Sequence, residues 1–275
     1  MPITQMNLQI LSEHLKPSEK MPIMFIGHGS PMNAINDSEW SQGWALAGQI
    51  LPRPQAILCI SAHWITQKET FINVQKTPPT IHDFGGFPSA LFQVQYPAPG
   101  APDIAQEVIN MLATEHVHAT DDWGLDHGAW SVLKLLYPNA DIPVFQMSID
   151  YRRSFSEQLE IGHKLKKLRE KGVLVLGSGN LVHNLHDMRS DGRNYDWAIE
   201  FDEMTAQAIE NRNFSKLAEI DRYSALFRKA HPTADHFMPA LYCLGLAEPT
   251  DKLTFFNEGM DLGSISMRSF IFHQR

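Results

Sequence analysis

Four short apolar segments, separated by stretches with helical periodicity, constrain the fold most. They are rich in Val, Ile and Leu and alternate only weakly between apolar and polar residues, which is typical of strands covered on both faces of a sheet. The segments read IMFIGH, AILCISAH, VFQMSID and GVLVLGSGN. Strands that alternate with helices predict an α/β fold, here a central mixed, largely parallel sheet flanked by helices.

The stretches between these segments predict helices. In residues 102–116, Ile104 and Val108 fall on one helical face. Residues 155–172 carry leucines at helical spacing and end at Gly172, where a C-terminal glycine is expected. The later segments DWAIEFDEMTAQAIE and HFMPALYCLGLA are also helical in pattern.

The organisation of the chain favours one domain. Its 275 residues suffice for one large domain or two small ones. The stretch 77–102 is rich in Pro and Gly but too aromatic for a linker, so it predicts a long ordered loop over a site. We expect a polar N-terminal extension at residues 1–20 and a single domain at residues 21–275.

Charge and cysteine content restrict the partners and the compartment. The formal net charge is −8 and no Lys/Arg block occurs, so neither nucleic acid nor an anionic membrane surface is expected as a partner. No apolar run approaches the roughly 20 residues of a membrane span, and the N-terminus lacks a signal-peptide pattern. Cys59 and Cys243 lie in apolar runs, which indicates reduced thiols in a cytoplasmic protein. No pattern in the sequence indicates an oligomeric state.

Histidine is the unusual residue. Thirteen histidines stand against two cysteines, so a transition-metal site must be built from imidazole and carboxylate. His28 and His63 end the first two predicted strands, and His183 follows the glycine turn after the fourth. Ligands of open α/β sheets bind outside the carboxyl ends of the strands, so one crevice is expected to gather these three. His236 opens a late predicted helix.

Each histidine also has a structural interpretation. A single histidine near a strand end is more often hydrogen-bonded than metal-bound, and Asp235 before His236 suits a helix cap. The GHGS turn around His28 could cradle a phosphate, but no Gly-Lys-Ser/Thr or GxGxxG pattern accompanies it. His127, in WGLDHGAW, is either a loop histidine packed by aromatic rings or an acid/base or substrate-binding group. The repeated placement at strand ends favours a metal site.

Seven segments carry a family resemblance: GHGSPMNAI, PRPQAILCISAHW, TPPTIHDFGGFP, YPAPG, GLDHGAWSVL, GSGNLVHNL and HFMPALY. In this order they resemble the DOPA 4,5-dioxygenase group of the LigB-type (class III) extradiol ring-opening dioxygenases. The resemblance runs from about Met21 to the C-terminus. It implies a LigB-like α/β domain and a non-haem Fe(II) enzyme, in whose site Zn(II) is often found instead.

The resemblance also implies roles for individual residues. His28 and His63 match two metal-binding histidines, and His236 falls at the third ligand position, where the protocatechuate branch has a glutamate. His183 matches the catalytic acid/base and is also a candidate fourth metal ligand. The residues expected to contact substrate are His127, which would also assist catalysis, Ser30 and His82.

The implied reaction is extradiol cleavage of a DOPA-like catechol by O2 to a muconic semialdehyde. Two other functions stay open: a non-catalytic metal-binding protein of the same fold, similar to the Memo-type proteins, and a zinc hydrolase that uses the same histidines to activate water. The GxSxG, HExxH and HxE…PCxxC signatures of other hydrolases and deaminases are missing from the sequence. Oxygen uptake with a catechol and Fe(II) separates the first function from the other two.

Overall fold

A six-stranded sheet lies at the centre of the computed structural model, which describes residues 20–274. The strands of that range are, in chain order, β1 (Ile23–Gly27), β2 (Ala56–Ser61), β3 (Ile65–Thr66), β4 (Thr70–Asn73), β5 (Val117–Thr120), β6 (Val144–Gln146), β7 (Ile149–Asp150), β8 (Val173–Gly179), β9 (Lys252–Phe256), β10 (Met260–Asp261), β11 (Ile265–Ser266) and β12 (Ser269–His273). The central sheet has the spatial order β6, β2, β8, β1, β12, β9. Its first four strands run parallel, whereas β12 is antiparallel to β1 and to β9. The predicted mixed, largely parallel sheet is confirmed.

Helices cover both faces of this sheet. They are α1 (Glu39–Ile50), α2 (Ser89–Phe92), α3 (Pro102–Met111), α4 (His127–Leu136), α5 (Phe155–Lys164), α6 (Lys167–Glu170), α7 (Asp196–Glu210), α8 (Phe214–Ala218), α9 (Ala225–Ala230) and α10 (Met238–Leu246), with 3₁₀ turns at Pro31–Ala34 and Leu185–Asp187. Side chains alternate across β1: Phe25 packs into one core with α5 and α10, and Met24 and Ile26 pack into another with α1 and α4. Between residues 20 and 274, no helix has both the length and the apolar character needed to cross a membrane.

Two helices end earlier than the sequence predicts. The helix expected at 102–116 ends at Met111, because the amide of Leu112 is shared between two carbonyls and the last turn tightens. The helix expected at 155–172 is divided into α5 and α6, with the same tightening at Leu165. Gly172 follows α6 with φ 73°, as expected for a C-terminal glycine.

The N-terminal boundary stays a prediction. The extension expected at residues 1–20 lies outside the described residues except for Lys20. The Lys20 ammonium contacts Glu248 at 3.0 Å and Glu170 at 3.2 Å. The ordered loop expected at 77–102 includes the short helix α2, and Thr80 within it forms a bridge with Leu125.

The carboxyl ends of β1, β2 and β8 meet at one edge of the sheet. The backbone N–H of His28 donates to Gly179 O, and that of Ala62 donates to Ser178 O, both at 2.9 Å. A Cβ at position 179 would collide with the carbonyl oxygen of His236, so Gly179 is what allows the start of α10 to reach this edge. The topology therefore brings the residues after β1, β2 and β8 to the same place as the start of α10.

A buried ion pair fixes the opposite end of the sheet. Arg169 and Asp251 are fully buried and form two hydrogen bonds of 2.7 and 2.9 Å. The Nε–H of Arg169 donates to Met21 O, and the amide of Glu248 donates to Asp251. The pair thus connects α6 to the entry of β1 and of β9.

Replacing Asp251 with alanine should destabilise the protein strongly, because it leaves a buried guanidinium without its counter-ion. We expect the free energy of unfolding to fall by about 3–5 kcal/mol. The matched control is Asp141→Ala, which removes the exposed pair with Arg53 and should cost less than about 1 kcal/mol. Urea denaturation of both variants is the measurement, and equal losses would contradict the role given to the buried pair.

Candidate metal centre

Five of the predicted histidines meet at this edge of the sheet. Ring centroids of His28, His63 and His236 lie 5.0–5.2 Å apart in all three pairs. The ring of His127 lies 3.8 Å from that of His63, and the ring of His183 stacks on that of His236 at 3.5 Å. All five line one cavity of about 390 Å³. The structure thus brings together every histidine for which the sequence suggested a metal-binding or acid/base role.

The local fold explains how each ring reaches the cavity. His28 and His63 follow β1 and β2 directly, and His183 follows β8 and bridges to Ile265 of β11. His127 is the first residue of α4, whose N-cap is Asp126. His236 lies just before α10.

The side chain of Ser178 fixes the tautomer of His28. The Ser178 hydroxyl donates to Gly128 O at 2.5 Å, so its oxygen can only accept from His28 Nδ1, 2.9 Å away. The proton of His28 is therefore on Nδ1, and Nε2 carries a lone pair. Both side chains are buried, so neither bond competes with water.

Carboxylates orient three of the other rings. Asp83 accepts from both the backbone N–H and the Nδ1–H of His127, at 2.8 and 3.0 Å, and its Oδ2 lies 3.5 Å from His63 Nδ1. Asp235 Oδ2 lies 2.7 Å from His236 Nδ1. These contacts favour the Nδ1–H tautomer and leave Nε2 as the free ligand atom of each ring.

The arrangement of these nitrogens fits a cation. His28 Nε2 and His63 Nε2 lie 3.2 Å apart, and with both rings protonated on Nδ1 two lone pairs face each other. Such a pair repels unless a positive charge lies beside it, and imidazole nitrogen is a preferred ligand of iron and zinc. The ligand atoms of His28, His63 and His127 all lie within 4.8 Å of one another, which makes His127 a second candidate for the third ligand beside His236.

The protonation of the rings also suits metal binding. Burial, reinforced by the neighbouring histidines, holds the pKa of His28 and of His236 well below the usual value. Burial lowers the pKa of His63 to about 3 and that of His183 to about 4. Burial opposes ionisation of Asp83, but the hydrogen bonds from His127 together with the charge interactions with His127 and His63 outweigh it and lower the pKa of this carboxyl. Near neutral pH the rings of His28, His63, His183 and His236 are therefore neutral, the form that binds metal.

The other two residues expected near substrate are placed differently. Ser30 lines the cavity, and its hydroxyl oxygen accepts from the amide of Met32 at 3.3 Å. His82 is not among the residues that line the cavity in the described chain. Its Nε2 lies 2.9 Å from Val94 O, and its ring packs against Phe84 and Trp130.

Two groups of site residues are not apparent from the sequence. Ser178 lies in GSGN, but its role depends on the pairing of β8 with β1 and β2, which a single sequence does not show. The apolar wall residues are scattered along the chain: Phe84, Phe87, Leu185, Met188, Leu262 and Ile265. Of these, only Phe84 and Phe87 lie in a loop predicted to cover a site.

Replacing Ser178 with alanine should weaken metal binding by about 10–100-fold, because His28 loses the acceptor that keeps its proton on Nδ1. The matched control is Ser148→Ala, since Ser148 is also buried and hydrogen-bonded, to the amide of Phe71. Metal affinity measured by competition with a chelator is the readout. Equal affinities in the two variants would contradict the role of Ser178.

Comparisons with known proteins find relatives that cover most of this chain. The model of the family described as the catalytic LigB subunit of aromatic ring-opening dioxygenase matches residues 22–264. A protein of Escherichia coli K12 named 4,5-DOPA dioxygenase extradiol is 40% identical over 94% of this chain and 97% of its own. A Beta vulgaris protein of the same name is 36% identical over 90% and 95%. A crystal structure of an uncharacterized Escherichia coli K12 protein superposes with a TM-score of 0.79 at 35% identity, covering 92% of this chain and 100% of the other.

Proposed function

The chain belongs to the LigB family of aromatic ring-opening dioxygenases, and from that premise we propose that it opens the ring of a catechol by extradiol cleavage. O2 is the second substrate, and the product is a muconic semialdehyde. The observation that carries the proposal is the cluster of five histidines, whose rings line one cavity. The names of the relatives make DOPA the first catechol to test.

The metal of this centre is proposed to be Fe(II), with Zn(II) able to occupy the same ligands in purified protein. LigB dioxygenases are metal-dependent, and the buried histidines offer the imidazole nitrogens that either ion binds. We assign His28, His63 and His236 as its ligands and keep His183 as a candidate fourth. When bound, the metal supplies a Lewis acid that orients the catechol and O2 against each other.

The remaining histidines are proposed to handle protons. A catechol loses a proton when it binds, and the neutral imidazole of His183 is placed to accept it beside His236. His127 holds its Nδ1–H against Asp83, so its Nε2 is free to accept a hydrogen bond from a substrate hydroxyl. The hydroxyl proton of Ser30 is available to donate, because its oxygen accepts from the Met32 amide. The ring of His82 packs against that of Phe84, which is part of the cavity wall.

Oxygen consumption tests this function. The protein is reconstituted with Fe(II) without oxygen and then exposed to O2 with DOPA, caffeate or protocatechuate. We expect oxygen uptake matched by loss of catechol and by the absorbance of a semialdehyde. Hydrolysis of an ester or amide with Zn(II) in the absence of oxygen would favour a zinc hydrolase instead. Metal binding without either reaction would favour a non-catalytic protein of this fold.

A further inference from the structure

We propose that His231 is a positioning residue: its ring fixes the backbone that carries His183 and thereby holds the His183 ring at its distance from His236. The inference rests on the proposed function, because His183 is the proton acceptor of that function. His231 is not among the residues that line the cavity in the described chain. Its effect on the reaction therefore passes through the position of His183.

The ring of His231 is buried among aromatic side chains. His231 is 1% exposed, and its ring centroid lies 5.2–5.4 Å from those of Phe201, Phe227 and Phe237. A phenylalanine would fill such a place without polar atoms to remove from water. Packing alone therefore does not explain a histidine at this position.

The hydrogen bond of the ring does explain it. Nε2 of His231 lies 2.9 Å from Leu181 O, and because a carbonyl oxygen only accepts, Nε2 carries the proton. Burial lowers the pKa of His231 to about 3, so near neutral pH the ring is neutral and Nδ1 has no proton. Nδ1 is buried, and no group of residues 20–274 forms a hydrogen bond with it. The bond to Leu181 is therefore an interaction that a phenylalanine could not supply.

Two segments of the chain meet beside this bond. Residues 180–183 leave β8 and end at His183, and residues 231–236 lead from α9 to His236. The rings of His183 and His236 stack with centroids 3.5 Å apart and planes 3° from parallel. The position of one ring relative to the other therefore depends on how the two segments are joined.

Hydrogen bonds join the two segments at their ends and between them. The amide of Asn180 donates to His236 O, and the amide of His183 donates to the carbonyl of the last residue of α9, each at 2.9 Å. The His231 ring binds Leu181 O between these two points. Because Leu181 is fully buried, its carbonyl must find another donor when the ring N–H is lost. The backbone then shifts two residues before His183.

Two substitutions of His231 separate its hydrogen bond from its packing. His231→Phe keeps an aromatic ring but cannot donate, whereas His231→Gln places an amide N–H near the position of Nε2. In the Fe(II) protein with DOPA we expect His231→Phe to retain its metal content and its KM and to lose about 10–100-fold in kcat. A displacement of about 1 Å in a catalytic group has an effect of this size. His231→Gln should recover most of the lost kcat.

The matched control is Phe201→Leu. It loosens the same aromatic cluster but leaves the bond from His231 to Leu181 O in place. We expect it to lower the free energy of unfolding in urea and to leave kcat unchanged. A loss of kcat in Phe201→Leu as large as that in His231→Phe would assign the effect to packing and overturn the inference.

A crystal structure of each His231 variant, grown without added metal, gives a readout that needs no turnover. The His183 ring should be displaced from His236 by about 1 Å in His231→Phe and should stay in place in His231→Gln. An unchanged ring separation in His231→Phe would overturn the inference, as would an unchanged kcat.

The proposed function fails in a different way, because then no catechol supports oxygen uptake in the unchanged protein or in any variant. The ring separation still decides in that event whether His231 positions His183. Oxygen uptake that is equal in the unchanged protein and in His231→Phe would overturn the inference and leave the proposed function standing.

Discussion

His183→Ala should retain most of its bound Fe(II) and lose about 10²–10⁴-fold in turnover, the range for a positioned proton-transfer group. The reason is geometric. The ring of His183 lies parallel to that of His236 at 3.5 Å and lines the cavity, so it can act on substrate without being required for the metal. A fourth protein ligand would also occupy a position on the iron that catechol and O2 need.

Two companion variants make this prediction specific. His183→Phe keeps a flat ring against His236 but removes the proton acceptor, so it should lose turnover to the same extent. His163→Ala changes an exposed histidine on α5 and should leave both metal content and turnover unchanged. Metal content and initial rate are measured on the same samples. Metal loss that parallels activity loss in His183→Ala would make His183 a ligand instead of an acid/base.

His236→Ala should lose its metal, and His127→Ala should keep it. Loss of a ligand is expected to weaken metal binding by more than the about 10–100-fold that follows loss of a supporting hydrogen bond. His28→Ala provides the reference, because His28 belongs to both candidate ligand sets. With the metal gone, turnover of His236→Ala should fall below detection, whereas His127→Ala should bind Fe(II) and turn over slowly.

The opposite result would exchange the two roles. If His127→Ala loses the metal and His236→Ala retains it, the ligands are the three histidines whose ligand atoms lie within 4.8 Å of one another. Metal content of the purified variants, measured after reconstitution with one batch of Fe(II), decides between the sets. Asp83→Asn adds a check. It should disturb the orientation of both His127 and His63, because the Asp83 carboxylate contacts Nδ1 of both rings.

Four of the six strands of the central sheet could be predicted because their signals are local. Each of these four apolar segments is short and bounded by glycine, proline or helix, and His28, His63 and His183 follow the carboxyl ends of three of them. The helix ends at Met111 and Lys164 could not be predicted, because the last-turn hydrogen bonds that tighten there leave no mark in the apolar periodicity.

A site residue could be predicted only where its own position in the sequence indicated its role. His28, His63 and His183 follow strands, so the sheet alone brings them together. The role of Ser178 depends on strand pairing, and Asp83 reaches His127 from a loop 44 residues earlier in the chain. Asp126 also stands next to a histidine, yet it binds Ser61 and Gln146, so adjacency in sequence does not identify the partner.

The loop that carries Asp83 contributes both to the cavity wall and to the orientation of two histidines. Phe84 and Phe87 of this loop form one wall of the cavity. Asp83 of the same loop lies beside the Nδ1 atoms of His127 and His63. Displacing the loop to admit a bulkier substrate would also withdraw the carboxylate from His127 and His63. By thermodynamic linkage, if the position of this loop strengthens metal binding, then metal binding also stabilises the loop in that position. A variant selected for a wider cavity entrance should therefore be recovered with less bound metal.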